Sequence, residues 1–266
     1  DSSTSRGLGD VYKRQKYGDD KDRVLVRANG ALTYFATDIA YHSLKLDKYD
    51  YIINIWGSDH HGYVPRLTNA LKGIGYDTNK ISIHLIQFAN LYRDGEKMSM
   101  STRSGEFITL KSLVDEIGSD AINFFYINKK IEQHLDFDIN TALSKDKDNP
   151  VYYIQYAHAR IEKIISKVNL KDLDFDDTKL IDPREQDLLR LLNNYEETFS
   201  LAMDTLQPQM ITNYLYKLSQ SFHSYYANIK IIDDEINYSR VSLVIAIQKI
   251  LKNGLNLFDI NAPEDM

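Results

Sequence analysis

Two short loops of the sequence combine glycines with charged or hydroxyl side chains. The first is Gly57-Ser58-Asp59-His60-His61-Gly62, which directly follows the apolar run Tyr51 to Trp56. A carboxylate such as Asp59 can accept hydrogen bonds from a ribose diol, and Gly57 lets a ligand approach the backbone closely. The alternative is that Asp59 only caps the helix that follows. Adjacent histidines on a turn diverge and no third ligand is evident, so the sequence predicts no metal site at His60-His61.

The second loop reads RDGEKMSMSTRSGEF, from Arg93 to Phe107. Beyond its first residue, Arg93, it contains two basic side chains, Lys97 and Arg103. Four hydroxyl side chains accompany them: Ser99, Ser101, Thr102 and Ser104. Gly95 and Gly105 could act as hinges, and such a loop could close over a phosphate group and stabilise its developing charge. The alternative is a solvated loop without a ligand.

A third group of residues could recognise a planar cation. Tyr34 and Asp38 are four residues apart, so they share a face if a helix begins before Asp38. A carboxylate beside a phenol ring can bind a guanidinium group by hydrogen bonds and by packing. The alternative, that Asp38 caps a helix, fits the local sequence equally well.

The elements that position these residues are predicted to form a strand–helix–strand unit. Short strands are expected at 24–26 and 32–35, followed by a helix from Asp38. The apolar run Tyr51 to Trp56 is typical of a buried parallel strand, and a helix at 62–73 and a strand at 79–88 follow. The two loops are expected to follow successive strands of this unit. Because parallel strands present their carboxyl ends at one edge, both loops could line one crevice.

After about residue 149 the sequence pattern becomes helical throughout. Helices are expected at 151–168, 183–203, 208–230 and 238–256. We therefore expect two domains, an α/β domain at 17–149 and an all-helical bundle at 150–266. Residues 1–16 have neither helical nor strand periodicity and are predicted to be a disordered or non-native leader.

Composition excludes several classes of protein. The 266 residues are 43% hydrophobic and carry a net charge of -6, which argues against a protein that binds polyanions over its whole surface. No apolar run approaches the roughly 18 residues that a membrane span requires. The chain has no cysteine, so disulfides and thiolate zinc sites are excluded, and a reducing cytoplasmic location fits.

Several segments, taken in order, resemble bacterial arginyl-tRNA synthetases, which are class I aminoacyl-tRNA synthetases. They are YGDDKDRVLVRANGALTYFATDIAYH, INIWGSDHHGYVPRL, GEKMSMSTRSGEFITL, LDFDINTAL, NPVYYIQYAHARI and DINAPEDM. The resemblance covers residues 17–266. It implies a partial Rossmann-type catalytic domain followed by an all-α anticodon-binding bundle. The implied activity is arginine–tRNA ligase, with L-arginine, ATP, Mg²⁺ and arginine tRNA as substrates and partners, in a cytoplasmic monomer without a membrane contact.

The resemblance also implies roles for individual residues. Those expected to bind arginine are Tyr34, Asp38 and His60. Those expected to bind ATP are Gly57, Asp59, His60, Met100 and Ser101. Those expected to act in catalysis are Lys97, Ser101 and Arg103, and those expected to contact tRNA are Tyr225, Tyr226 and Asn228. Alternatively, the two tyrosines belong to the core of the bundle.

The sequence departs from the family pattern in its histidines. Class I enzymes carry an H-x-G-H signature near the start of the catalytic domain, and none of the seven histidines here forms one. We therefore expect a carboxyl-terminal fragment that does not form arginyl-adenylate by itself. Arginine- and tRNA-dependent ATP–pyrophosphate exchange by these 266 residues would disprove this.

A second departure lies in the Arg93–Phe107 loop. Alignment on Arg103-x-Gly105 places the family signature KMSKR on 99–103, where Ser99 and Thr102 stand at its two lysine positions. Lys97 then lies two residues early, although another register places Lys97-Met98-Ser99 on the signature. We predict that Lys97→Ala in a full-length protein lowers kcat more than it raises KM for arginine. An unchanged kcat would mean that Lys97 is only a surface lysine and that Arg103 supplies the positive charge of the loop.

Two other functions remain open on the sequence alone. The helical half could be a stand-alone tRNA-binding module without catalysis. A class I synthetase for another amino acid, such as cysteine, is also conceivable. The pair Tyr34 and Asp38 favours a guanidinium over a thiol, and the absence of cysteine removes the zinc site that cysteine enzymes use.

Overall fold

The computed structural model describes residues 11–12, 23–98, 108–233 and 235–266. The strands are β1 Val11–Tyr12, β2 Arg23–Val24, β3 Ile52–Gly57, β4 Ile81–Ile86, β5 Ala89–Arg93, β6 Glu96–Lys97 and β7 Leu135–Asp138. The helices are α1 Tyr34–Lys48, α2 Val64–Gly73, α3 Leu110–Ile117, α4 Ser119–Ile127, α5 Ile139–Leu143, α6 Pro150–Ile165, α7 Pro183–Asn193, α8 Tyr195–Asp204, α9 Gln209–Asn228 and α10 Tyr238–Asn256. None of the described helices combines the length and the apolar character that crossing a membrane requires.

The chain divides into two compact units. The first comprises residues 1–88 with 131–133, and the second comprises 89–130 with 134–266. This division by compactness differs from the domain boundary predicted near residue 149, which stays a prediction. The short pairing of β1 with β2 lies partly within the predicted leader, and most of that leader lies outside the described residues.

In the first unit, α1 begins earlier than the sequence pattern predicted. Thr33 caps the helix by accepting a hydrogen bond from the backbone N–H of Ala36, so Tyr34 and Phe35 are helical rather than part of a strand. The second predicted strand is reduced to one bridge between Val26 and Leu32. The early start places Tyr34 and Asp38 one helical turn apart, and it excludes Asp38 as the cap.

The parallel pairing of β3 with β4 confirms the predicted strand–helix–strand unit. The interpretation of β3 as a strand buried on both faces is wrong. Ile52 and Asn54 are buried, whereas Ile53 and Ile55 are exposed. Burial alternates because the described helices α1 and α2 cover one face only, where Ile52 joins a core with residues such as Leu67.

The second unit begins with a separate three-stranded sheet in the order β6–β5–β7. A two-residue turn joins β5 to β6, and both of its residues, Asp94 and Gly95, have positive φ. This is the backbone of a type I′ hairpin, so Gly95 lies in a fixed turn rather than at a hinge. The expectation that the two loops follow successive strands of one unit is therefore wrong, because β5 intervenes between β4 and the second loop.

The remainder of the second unit is a helical bundle built on α6, α7, α9 and α10. Its core is continuous, with fully buried Ile154, Leu215 and Leu251 among its members. The helix predicted at 183–203 is two helices, because the chain breaks at Asn194 between α7 and α8. Buried Gly254 lets α10 approach α9 closely, since a Cβ there would lie 2.6 Å from Leu215 Cδ2.

Candidate functional site

Asp38 lies on α1 with one carboxylate oxygen already bound. The hydroxyl of Tyr63 donates to Asp38 Oδ2 at 2.5 Å. The Tyr63 ring is itself held by Phe35 and Trp56, with ring centres 6.0 and 5.8 Å away. Because Tyr63 is fixed by these rings, it fixes the carboxylate of Asp38 in turn. No hydrogen bond to Asp38 Oδ1 is found within the part of the chain that the structure describes, so this oxygen can accept one from a ligand.

The phenol predicted beside Asp38 is supplied by a different tyrosine. Tyr34 shares the helix with Asp38, but its side chain is 87% exposed and the structure places Tyr63 on the carboxylate instead. Nothing in the sequence pairs residue 38 with residue 63, because 25 residues, among them strand β3, separate them along the chain.

A buried pair of polar side chains ties α1 to β3 beneath Asp38. His42 Nδ1 donates to the backbone carbonyl of Asp38 at 2.8 Å, and His42 Nε2 accepts from Asn54 Nδ2 at 3.0 Å. This pattern selects the tautomer with its proton on Nδ1. Asn54 therefore interrupts an apolar strand in order to hold the helix that carries Asp38.

The loop after β3 forms a short 3-10 turn, Ser58–His60. Asp59 Oδ1 lies 3.0 Å from His60 Nδ1, and both side chains are exposed. Asp59 does not cap α2, because that helix begins after Tyr63 without a side-chain cap. A Cβ at Gly57 would come within 2.7 Å of Asp59 Oδ1, so a larger residue there would make the exposed Asp59 side chain shift from its observed position over the strand end.

Among the residues predicted for catalysis, the structure describes Lys97 alone. It lies on β6 opposite Tyr92, and it is exposed. Met100, Ser101 and Arg103 fall in 99–107, outside the described residues. The roles predicted for these four residues stay predictions.

The bundle holds an arginine between two aromatic rings. The guanidinium carbon of Arg160 lies 4.4 Å from the centre of the Tyr156 ring and 4.7 Å from that of Tyr226. Arg160 Nη1 also lies 3.3 Å from His223 Nδ1. Tyr226 is 41% exposed, so the outer edge of this stack faces solvent.

This stack borders a groove of about 280 Å³, which we name the α6–α9 groove. Its lining residues are Tyr156, Ala159, Arg160, Lys163, Ile164, Lys167, Tyr226 and Met266. A groove that combines aromatic and basic side chains is typical of surfaces that bind single-stranded nucleic acid. Arg160 was not selected from the sequence, although its spacing of four residues from Tyr156 was a readable signal.

The three residues predicted to contact tRNA lie in different environments. Tyr225 is fully buried, and its hydroxyl donates to Glu185 Oε1 at 3.0 Å. Burial raises the pKa of Tyr225, and the negative charge of Glu185 raises it further. Tyr226 and Asn228 are both exposed. The surface that can contact a ligand therefore contains Tyr226 and Asn228, whereas Tyr225 belongs to the core.

Two family models match successive parts of the chain. The model for the catalytic domain of class I (R) tRNA synthetases matches residues 8–144, and the model for the DALR anticodon-binding domain matches residues 154–266. A parallel strand–helix–strand unit followed by a helical bundle, with these two matches in this order, defines a class I aminoacyl-tRNA synthetase. The chain belongs to the arginyl-tRNA synthetase family. The predicted family and fold class are thereby confirmed.

Individual proteins agree with this assignment. Arginine–tRNA ligases of Thioalkalivibrio sulfidiphilus and Hydrogenovibrio crunogenus are 45% and 46% identical over 96% of this chain. The chain spans 45% of the length of each of these relatives. A solved structure named for an arginyl-tRNA synthetase of Campylobacter jejuni matches with a TM-score of 0.90 and 36% identity, over 96% of this chain and 57% of its own. Thermus thermophilus arginyl-tRNA synthetase shares the fold, with a TM-score of 0.79 and 23% identity over 96% of this chain and 53% of its own.

Proposed function

We propose that this chain provides part of an arginine–tRNA ligase, which activates L-arginine with ATP and transfers it to arginine tRNA. In the first step the arginine carboxylate attacks the α-phosphorus of ATP, and pyrophosphate leaves. In the second step a ribose hydroxyl at the tRNA 3′ end attacks the activated carbonyl, and AMP leaves. The observation that supports this best is Asp38, a carboxylate with one oxygen fixed by Tyr63 and the other able to accept a hydrogen bond.

Asp38 suits the guanidinium of arginine better than an ammonium group. A guanidinium is planar and donates in fixed directions, so it gains most from a carboxylate that is already oriented. Tyr63 supplies that orientation and adds an aromatic wall with Phe35. The proposal keeps Tyr34 and His60 as further contacts to the amino acid.

The nucleotide is assigned to the loop after β3. Asp59 accepts hydrogen bonds from the ribose, and Gly57 leaves room for the ligand to approach the backbone. His60 holds Asp59 in place at 3.0 Å. Lys97, Ser101 and Arg103, with Met100 beside them, are proposed to stabilise the phosphates during transfer.

Mg²⁺ enters this proposal as the ion that accompanies ATP. Within the described part of the chain, no group of three or more His, Asp or Glu side chains is placed to hold a metal. Mg²⁺ is commonly bound through substrate phosphates together with one or two carboxylates. It would neutralise phosphate charge, and no described residue is assigned to it.

The α6–α9 groove is proposed to bind the anticodon loop of the tRNA. The ring of Tyr226 and the guanidinium of Arg160 offer faces on which an unpaired base can stack, and such stacking contributes about 1–3 kcal/mol per base. Lys163 and Lys167 at the same groove can contact phosphates. Asn228 lines an adjoining pocket with Lys230 and can donate to a base edge. We further propose that the whole protein is a cytoplasmic monomer.

The arginine assignment can be tested by substituting two matched aspartates on α1. Asp38 and Asp47 each accept a hydrogen bond from a tyrosine, Tyr63 and Tyr76 respectively. The assay is arginine- and tRNA-dependent ATP–pyrophosphate exchange, measured with arginine tRNA present, by this chain alone and by this chain joined to the amino-terminal half of the Thioalkalivibrio relative. We expect exchange only from the joined protein. In it, Asp38→Asn should raise KM for arginine at least about tenfold, whereas Asp47→Asn should leave it unchanged.

The results of that experiment separate the possible functions. Equal effects of the two substitutions would refute the role of Asp38. Binding of arginine tRNA without exchange by the joined protein would instead favour the stand-alone tRNA-binding module.

A further inference from the structure

The last part of the chain, which we name the tail (residues 259–266), is neither helix nor strand, yet side chains of the bundle hold it. Buried Ile260 anchors its start. His158 Nδ1 donates to the carbonyl of Pro263 at 2.8 Å, and Lys163 Nζ lies 2.6 Å from Asp265 Oδ1. The tail therefore lies along α6, and its last residue, Met266, lines the α6–α9 groove.

One carboxylate outside the bundle helices fixes the course of the tail. Asp120 lies in the first turn of α4, two residues after Gly118. Its Oδ1 accepts from the backbone N–H of Asn261 at 3.2 Å and from Asn261 Nδ2 at 3.0 Å. Its Oδ2 accepts from Gln155 Nε2 at 2.7 Å, and the same Gln155 nitrogen donates to the carbonyl of Asn261 at 2.9 Å.

Asp120, Gln155 and Asn261 are thus joined to one another by hydrogen bonds, and the side chain of Asp120 is the acceptor in each hydrogen bond described above that it makes. Three N–H groups converge on its two oxygens, and a neutral amide in its place would offer only one oxygen. Gln155 is buried on α6, so it cannot turn to water to satisfy its amide. Loss of the carboxylate therefore leaves a buried donor unsatisfied and weakens the attachment of Asn261.

We propose that Asp120 is a positioning residue for RNA binding, which acts by fixing the tail so that Met266 closes the α6–α9 groove. Asp120 lies in the part of the chain matched by the catalytic model, and the tail and groove lie in the part matched by the anticodon-binding model. This inference rests on the proposed binding of the anticodon loop to the groove. In this proposal α4 contributes to RNA binding indirectly, through the position of the tail, rather than by contacting the RNA.

The test compares Asp120→Asn with Asp115→Asn. Asp115 lies on α3, is exposed and pairs with Lys111 at 3.3 Å, so its substitution makes the same change in charge without touching the tail. The probe is an RNA hairpin with the anticodon stem and loop of an arginine tRNA, and its affinity for the whole 266-residue chain is measured by fluorescence anisotropy. In parallel, the methyl NMR signal of Met266 reports the position of the tail.

We expect Asp120→Asn to weaken binding of this hairpin by roughly tenfold and to reduce its preference over a hairpin with a changed anticodon. The Met266 signal should move toward that of an unstructured methionine. Asp115→Asn should change neither. The salt dependence of binding should be the same in both variants, because the basic side chains of the groove are retained.

Each other outcome has a definite meaning. Undiminished binding by Asp120→Asn, or an unmoved Met266 signal, would overturn the positioning role. If Asp120→Asn fails to fold, Asn261→Ala replaces it, since it removes one bond of an exposed side chain and should weaken binding about threefold. Undiminished binding by Asn261→Ala would then overturn the role. No binding of the hairpin by the unsubstituted chain would refute the proposed groove function itself.

Discussion

At the scale of single residues, the protonation state of His223 affects a hydrogen bond that helps to hold Arg160 between its two aromatic rings. Arg160 Nη1 donates to His223 Nδ1, so the proton of the neutral ring resides on Nε2, which donates to the carbonyl of Tyr153 at 3.2 Å. Burial lowers the pKa of His223. The bond to Tyr153 opposes this change, and the nearby charge of Arg160 adds to it. Protonation of His223 Nδ1 would bring its N–H to face the N–H of Arg160 Nη1, and the hydrogen bond between them would be lost.

This arrangement predicts a pH dependence of stability. The folded-state pKa of His223 lies below its ordinary value of 6.5, so the unfolded chain takes up the proton first as pH falls. The contribution of His223 should be complete above about pH 7 and should diminish as pH falls below about 6.5. Asp176 and Asp265 also have lowered pKa values, but they titrate below their ordinary value of 3.8, outside this window.

The measurement is the free energy of unfolding in urea at several pH values from about 7.5 to about 5.5. We expect His223→Gln to flatten the decline on the acid side. His134→Gln, an exposed histidine of the same unit, serves as the control and should retain it. If the free energy of unfolding declines with equal slope in both variants, the pH dependence arises from other groups.

The sequence identified residues by type and local spacing, and this was sufficient for some of the candidate site. It selected Asp38 and Tyr226, which both face solvent or a possible ligand in the structure. It did not select Tyr63, because its importance depends on a contact with Asp38, 25 residues away in the chain. It also did not select Arg160, whose one local signal was its spacing of four residues from Tyr156. Tyr225 and Tyr226 are neighbours in sequence, but the first is buried and the second is exposed. Two adjacent tyrosines do not by themselves show which of them is buried.

At the scale of elements, helices were predictable from periodicity and strands were less so. The long helices α6, α9 and α10 were expected within a few residues of their observed ends, because each has an apolar face of several turns. Strand β7 was missed, since its four residues include two aspartates. The burial of β3 was predicted wrongly because burial depends on which elements cover each face of a strand. The apolar sequence of the strand does not contain that information.

The packing of α10 against α9 gives a prediction for Gly254. Alanine favours a helix by about 1 kcal/mol over glycine. A Cβ at this position would, however, lie 2.6 Å from Leu215 Cδ2 and 2.8 Å from Cδ1, inside the buried core. Such overpacking costs about 1–3 kcal/mol. Gly254→Ala should therefore lower the midpoint of thermal unfolding despite its better helix propensity.

The control for this prediction is the neighbouring exposed residue. Asn253→Ala places the same methyl group on the solvent side of α10, where propensity alone should act and stability should rise slightly. An equal rise in both variants would show that α9 and α10 separate to accept the methyl group.

At the scale of the whole molecule, the two compact units have cores of very different size. The core of the first unit is a small cluster around Leu67 and Leu71, whereas that of the second extends through the sheet of β5 and the entire bundle. Stability grows with the apolar area that a unit buries. We therefore predict that the first unit unfolds at a lower free energy than the second. Its unfolding should be a separate step, so the chain as a whole should not unfold in a single transition.

Hydrogen exchange measured by mass spectrometry can resolve the two steps with a matched pair of substitutions. Leu67 in the first unit and Leu188 in the second are both 0% exposed, so truncating either to alanine should cost about 2–5 kcal/mol. Leu67→Ala should speed exchange in β3, α2 and β4 and leave α9 and α10 protected. Leu188→Ala should lower protection across the bundle and leave β3 unchanged. Faster exchange in both units after either substitution would show that the units unfold together, because only a shared opening step can transmit the loss of one core to the other.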